Sequence, residues 1–212
     1  MRTHTAVLVV ILSIGVAGSA HAQRIAVGVR GGLSRSTADV EGAIFTEDVG
    51  TTTKFHAGPL INIEISRYFA LQTQFLYSRK GFAEGDGTVS IDVAYVEVPV
   101  LAMLQMPGGI SPHLYVGPVL ALESKCTANT ALGGEEDCED ATTAPRTKGA
   151  DSGIMLGGGV KLGAGPGFLL LDVLYSYGLT DVSEFRDDVD SIKFRTLYLS
   201  LGYALRMGSD YP

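Results

Sequence analysis

The chain contains no tryptophan, and only 18% of its 212 residues are charged. Soluble globular domains carry about a quarter of their residues as charges, so a soluble secreted domain is disfavoured. Two cysteines, Cys126 and Cys138, are the whole complement, too few for a disulfide-built scaffold. The four histidines form no ligand pattern. His4 and His21 fall in the leader, while His56 and His113 are expected near opposite ends of the molecule. Zinc needs clustered donors, so no metal and no cofactor is expected. A net charge of −7 argues against a nucleic-acid partner. Beyond residue 22 there is no apolar run long enough for a membrane helix.

What is present begins with a leader. Arg2 precedes an almost wholly apolar stretch, 6–18, and Ala20-His21-Ala22 is a small-x-small cleavage site. This pattern predicts a secretory signal peptide over 1–22, a barrel domain over 23–207 and a short tail, 208–212. No cysteine stands at the cleavage point, so a lipoprotein anchor is not indicated.

Glycine is abundant, at 27 residues, and mean hydropathy is +0.23. The apolar residues recur at every second position. The clearest case is 54–66, where Phe55, Ala57, Pro59, Ile61, Ile63 and Ile65 alternate with His56, Gly58, Leu60, Asn62, Glu64 and Ser66. Period two over a dozen residues describes a strand with a different solvent on each face. Seven further runs read alike: 24–34, 69–81, 90–106, 113–125, 151–162, 168–180 and 191–207. Pro99 inside the fourth run predicts a bulge there.

The connections alternate. Those after the first, third, fifth and seventh runs are long, and the other three are short. An even number of strands with short turns at one end and long loops at the other predicts an all-β fold: an eight-stranded antiparallel up-and-down transmembrane β-barrel. Closure follows from the solvent, because an open edge in lipid leaves backbone groups unpaired. The termini and short turns are expected on the periplasmic side of a Gram-negative outer membrane, and the long loops outside. Outer-membrane lipid is the expected surrounding partner, and a monomer the expected state. The faces then assign roles. Glu64, Lys80, Glu97, Glu123, Lys161 and Asp172 point inward as a lumen charge network, with Arg206 beside them; buried charge of this kind must be paired. An interior of eight strands has room for side chains and little more.

Several segments resemble the outer-membrane β-barrel domain family that includes PorT-like proteins of Bacteroidota and relatives. They are His56-Ala57-Gly58-Pro59-Leu60, the run from Leu71 to Gly81, Tyr95-Val96-Glu97-Val98-Pro99-Val100-Leu101, the glycine-rich sixth strand and the ending from Arg195 to Tyr203. The resemblance implies a barrel over 24–207 and little chemistry. Two departures stand out. Gln74 occupies a position where the family usually has glutamate, which removes one inward charge. The sequence also runs on past its last strand as Met207-Gly208-Ser209-Asp210-Tyr211-Pro212, so either Tyr203 or Tyr211 stands in for the terminal aromatic that the barrel-assembly machinery reads, or that signal is weaker.

The expected function is therefore non-enzymatic: surface loops used for binding or envelope maintenance. The alternatives are a narrow channel or transporter and a soluble lipocalin-like carrier, which would bury its apolar faces instead of exposing them. The longest loop, 126–150, holds both cysteines, and an oxidising compartment would join Cys126 to Cys138. Its acidic run, Glu135-Glu136-Asp137 with Glu139-Asp140, lacks the spacing of a twelve-residue calcium loop and reads as a solvated loop.

Overall fold

In the computed structural model, the described residues are 24–41, 50–83, 89–130, 134–137, 149–180 and 191–207. Ten strand segments account for nearly all of them: β1 (Arg24–Glu41), β2 (Gly50–Glu64), β3 (Phe69–Gln74), β4 (Leu76–Ala83), β5 (Val89–Gln105), β6 (Ile110–Thr130), β7 (Gly134–Asp137), β8 (Ala150–Ala164), β9 (Gly167–Gly178) and β10 (Ser191–Met207). β3 and β4 are two halves of one wall strand, and β7 pairs only with the tip of β6, so the wall has eight staves. It closes because β1 pairs with β2 on one side and β10 on the other, and β5 pairs with β3, β4 and β6. Every pairing is antiparallel. The fold is a closed eight-stranded barrel.

Three details differ from the alternation-based expectation. The third strand breaks at Phe75. Its neighbour across β2 is Pro59, whose carbonyl accepts from the Phe75 N–H at 3.0 Å but which has no N–H to return. Pro99 continues the register opposite Gln74 on the other side, with the same deficit. Pro99 itself causes no bulge: Val98 pairs with Leu120, Pro99 with Val119 and Ala102 with Val116, all in one register. The irregularity in that ladder lies instead at Ala94/Tyr95, opposite Glu123 and Lys125. Third, strand pairing runs further into the loops than expected. β1 extends to Glu41, β6 extends to Thr130, and Thr127–Thr130 pair with β7.

The stagger of the wall can be followed by registered partners. Ile25 leads to Ile63, Leu71, Ala102, Val116, Leu156, Tyr175 and Leu197, then back to β1 at Arg35, ten residues beyond the start. With ordinary strand spacing and rise, this shear gives a tilt of about 40° and a backbone radius of about 8 Å.

The short turns all lie at the end where Ile25 pairs with Met207. At Ser66, the side-chain oxygen accepts from the Tyr68 and Phe69 N–H groups at 3.3 and 3.0 Å, closing the tight turn at 65–68. Between β8 and β9 only Gly165 and Pro166 separate the paired Ala164 and Gly167. Gly165 takes φ +57, a left-handed conformation open to glycine at little cost.

The faces are sharply sorted. Val29, Leu114 and Leu199 are each more than 60% exposed, while Leu60, Tyr95, Glu97 and Met103 are fully buried. Apolar-out is the inverse of a soluble carrier and fits an apolar solvent around the wall. Among the described residues, buried hydrophobic side chains gather inside in clusters. One is built around Leu101, Met103, Tyr115, Met155 and Tyr198, another around Leu60, Phe168 and Leu170.

Candidate functional site: the barrel interior

Alternation carries the polar residues inward, and the stagger of the wall decides which of them meet. Three charged groups lie at successive levels. Nearest the chain termini, Lys161 on β8 places Nζ 2.7 Å from Glu64 Oε1 and donates to Gln105 Oε1 at 2.6 Å. Arg206 lies over Phe168 at this end, its Cζ 5.5 Å from the ring centroid.

The middle level centres on Asp172 of β9. Arg30 of β1 donates to its Oδ2, and His113 Nε2 lies 2.7 Å from its Oδ1. All three side chains are fully buried. Tyr115 stacks edge-on against His113 at 4.7 Å and donates to Gln72 Oε1 at 3.2 Å. Directly above, His56 Nε2 sits 2.9 Å from Ser200 Oγ, and Ser200 is the registered partner of Asp172. His56 and His113 thus converge on adjacent residues of β10 and β9. The expectation of opposite ends is corrected: it ignored the tilt, which brings distant stretches of separate strands to similar heights.

The level nearest the loops is built on Glu97. Lys80 Nζ lies 2.6 Å from its Oε1, and Tyr198 Oη donates to both carboxylate oxygens at 3.0 and 2.9 Å. Lys80 also lies 5.1 Å from the Tyr95 ring centroid. Asp151 is buried on β8. Glu123, half-buried on β6, is the registered partner of Tyr95.

Of the six residues singled out from the sequence, Lys80 meets Glu97 and Lys161 meets Glu64. Asp172 meets neither; its partners are Arg30 and His113, which the sequence reading passed over. Both were legible by parity. Arg30 shares a face with Ala26 and Gly28, and His113 stands opposite Leu114. Asp151 was legible in the same way, through Met155 and Gly157. Gln74, the position of the missing family glutamate, is fully buried, and neither amide atom has a hydrogen-bond partner among the described residues.

Among the described residues no group of three or more His, Cys, Asp or Glu is arranged to hold a metal. The pairing of Cys126 with Cys138 lies outside the described residues, as do the leader, the tail and Glu139-Asp140.

Comparison with known proteins agrees with the architecture. Neisserial surface protein A superposes with a TM-score of 0.51 at 15% identity, covering 86% of this chain and 99% of that one. OprG of Pseudomonas aeruginosa, an outer membrane protein, gives 0.50 at 11% identity, covering 87% and 96%. At such identities the likeness is one of fold. No curated protein matches the sequence. The family model described as "outer membrane protein beta-barrel domain" matches residues 18–184, most of the chain. With a closed eight-stranded wall, an apolar exterior and a paired polar interior, the chain belongs to the outer membrane protein beta-barrel domain family.

Proposed function

We propose that this barrel is a non-enzymatic integral protein of the outer membrane whose interior is a plug and whose long loops do the recognising. The carrying observation is the stack of charged groups at three levels of the interior, Lys161–Glu64, Arg30–Asp172–His113 and Lys80–Glu97. Side chains of a barrel this narrow fill the lumen, and Lys161, Arg30 and Lys80 are each paired with a carboxylate rather than presented to a passing solute. The wall is committed to backbone pairing and lipid exposure, whereas loops are freer to carry recognition. The loop that the sequence places at 126–149 is the favoured recognition element, being longest and acidic. A cationic surface partner, or divalent ions bridging it to surface lipid, suits that charge.

In this reading residues 1–22 are removed on export, the assembly machinery inserts the barrel, and the termini face the periplasm. The cysteines are joined as well. Thr127 pairs with Asp137, and Cys126 and Cys138 are the next residues in sequence on either side. Both meet an oxidising compartment after export. The PorT-like segments add no secretion role to this reading.

Recording in planar bilayers tests the plug. The wild-type protein is expected to give no stable, ion-selective single-channel current. Such currents would instead support the narrow-channel alternative.

A further inference from the structure

Below the loops, the outer wall carries a row of arginines at one level. Arg35 on β1 registers with Thr53 on one side and Leu197 on the other. Arg195 lies two residues before Leu197 on β10 and registers with Tyr177. Arg79 on β4 is one exterior position beyond Tyr77, just as Thr53 is one exterior position beyond Phe55 on β2. The Phe55 and Tyr77 rings lie 6.3 Å apart. Arg195, Arg35 and Arg79 therefore span the contiguous staves β10, β1, β2 and β4. Two of the heads are held against the wall: Arg35 Nε and Nη2 donate to Thr51 Oγ1 at 3.2 and 2.9 Å, and Arg195 Cζ lies 4.2 Å over the Tyr177 ring.

The level of this row has a physical meaning. Ile25 marks the first exterior rung at the terminal end, and Arg35 is ten residues above it on the same strand. At a tilt of about 40° that is a rise of about 25 Å, the height of the apolar band of outer-membrane barrels. Between these rungs the exterior positions of the described strands carry no charge. Phe55, Tyr77, Leu33 and Leu197 lie exposed just beneath the arginines.

We infer that this row is a docking site for the phosphate-bearing glycolipid of the outer leaflet. Guanidinium groups match phosphate oxygens in a bidentate fork. An anionic head with acyl chains below it matches the charge of the row and the apolar girdle together. A protein partner approaching from solvent would meet the arginines without the girdle. The inference rests on the outer-membrane reading proposed above.

The test uses the full mature barrel in phosphatidylcholine nanodiscs, with a heat-dependent gel shift confirming the fold before any other lipid is added. Native mass spectrometry then follows the binding of bis-phosphorylated lipid A, its dephosphorylated form and inorganic phosphate. The wild type is expected to retain bis-phosphorylated lipid A. The triple variant Arg35→Gln, Arg79→Gln, Arg195→Gln and the dephosphorylated lipid are each expected to weaken retention at least tenfold, and inorganic phosphate at millimolar concentration is expected not to compete. Wild-type-like retention by a folded triple variant overturns the proposal, as does displacement by inorganic phosphate, which would indicate a free-anion site. Should the Gln variant not fold, the corresponding triple Lys variant keeps the charge without the fork. It is expected to bind several-fold more weakly, and equal binding of phosphorylated and dephosphorylated lipid A to the wild type would then overturn the proposal. A wild-type protein that fails to insert at all shows no heat shift, and that outcome counts against the location rather than the arginine row.

Discussion

His113 and Asp172 stand two staves apart, and their 2.7 Å contact passes over Gly159, the registered partner of both. A Cβ at that glycine would collide with Asp172 Oδ1 and with the Leu171 carbonyl oxygen. The empty position on β8 is what lets the imidazole reach the carboxylate. Gly159→Val is therefore expected to displace Asp172 from His113 and destabilise the barrel by about 2–3 kcal/mol, as overpacking does. Equilibrium unfolding by urea in micelles would measure this. A variant as stable as the wild type would show that the central group is not held by the fit at Gly159.

Asp172 serves two partners, so its loss should cost more than the loss of either one. Asp172→Asn leaves the buried Arg30 guanidinium without its counter-charge, and about 3–5 kcal/mol is expected. Replacing both charges, Arg30→Met with Asp172→Leu, should recover much of that loss, because a matched apolar pair avoids burying an isolated ion. A double variant no better than Asp172→Asn would contradict the pairing as the source of the effect.

The same logic holds at the loop-side level, where a second test separates charge from hydrogen bonding. Glu97→Gln can still accept from Tyr198 but no longer neutralises Lys80. It is expected to lower stability by about 3 kcal/mol, with Lys80→Met in the same background restoring part of it. If Glu97→Gln alone proves neutral, the ion pair contributes little and Tyr198 is the partner that matters.

Depth in the membrane gives a prediction on the outer face. Leu201 lies midway between Arg195 and Met207 on β10, near the middle of the apolar band. Ile63 registers with Ile25 at the terminal rung and lies near the edge. Leu201→Arg is expected to cost about 2–4 kcal/mol and Ile63→Arg about 0–1 kcal/mol. Equal penalties, read from folding titrations into lipid vesicles, would place the band elsewhere.

The β6–β7 tip lies at the loop end of the wall. Deleting 128–136 removes most of β7 and the last three β5–β6 pairs, those of Ala128, Asn129 and Thr130 with Ile91, Ser90 and Val89, but leaves the β5–β6 pairs from Thr127 towards the terminal end and the whole β6–β8 ladder in register. Heat-modifiability is expected to survive the deletion. Loss of insertion would give the tip a structural role. In the intact exported protein, alkylation of Cys126 and Cys138 is expected only after reduction, and a disulfide closing that short loop contributes about 2–3 kcal/mol.

Alternation is a property of neighbouring residues, so the sequence alone determined which side chains face out. Ile61, Ile63, Leu199 and Leu201 could be assigned to one solvent and Asn62, Glu64, Ser200 and Gly202 to another without knowing any contact. The number of staves and the end bearing the short turns followed from the spacing of the runs. The partners of the inward charges did not. Whether Asp172 meets Lys161 or Arg30 depends on a ten-residue stagger that accumulates over eight ladders and closes only when β1 meets β10. The break at Phe75 likewise needed Pro59 and Pro99 to be brought alongside it from other strands. The row of Arg35, Arg79 and Arg195 joins residues up to 160 positions apart. Local pattern fixes the faces because the strand period is local. Closure fixes the levels, and only tertiary structure decides which buried charges are paired.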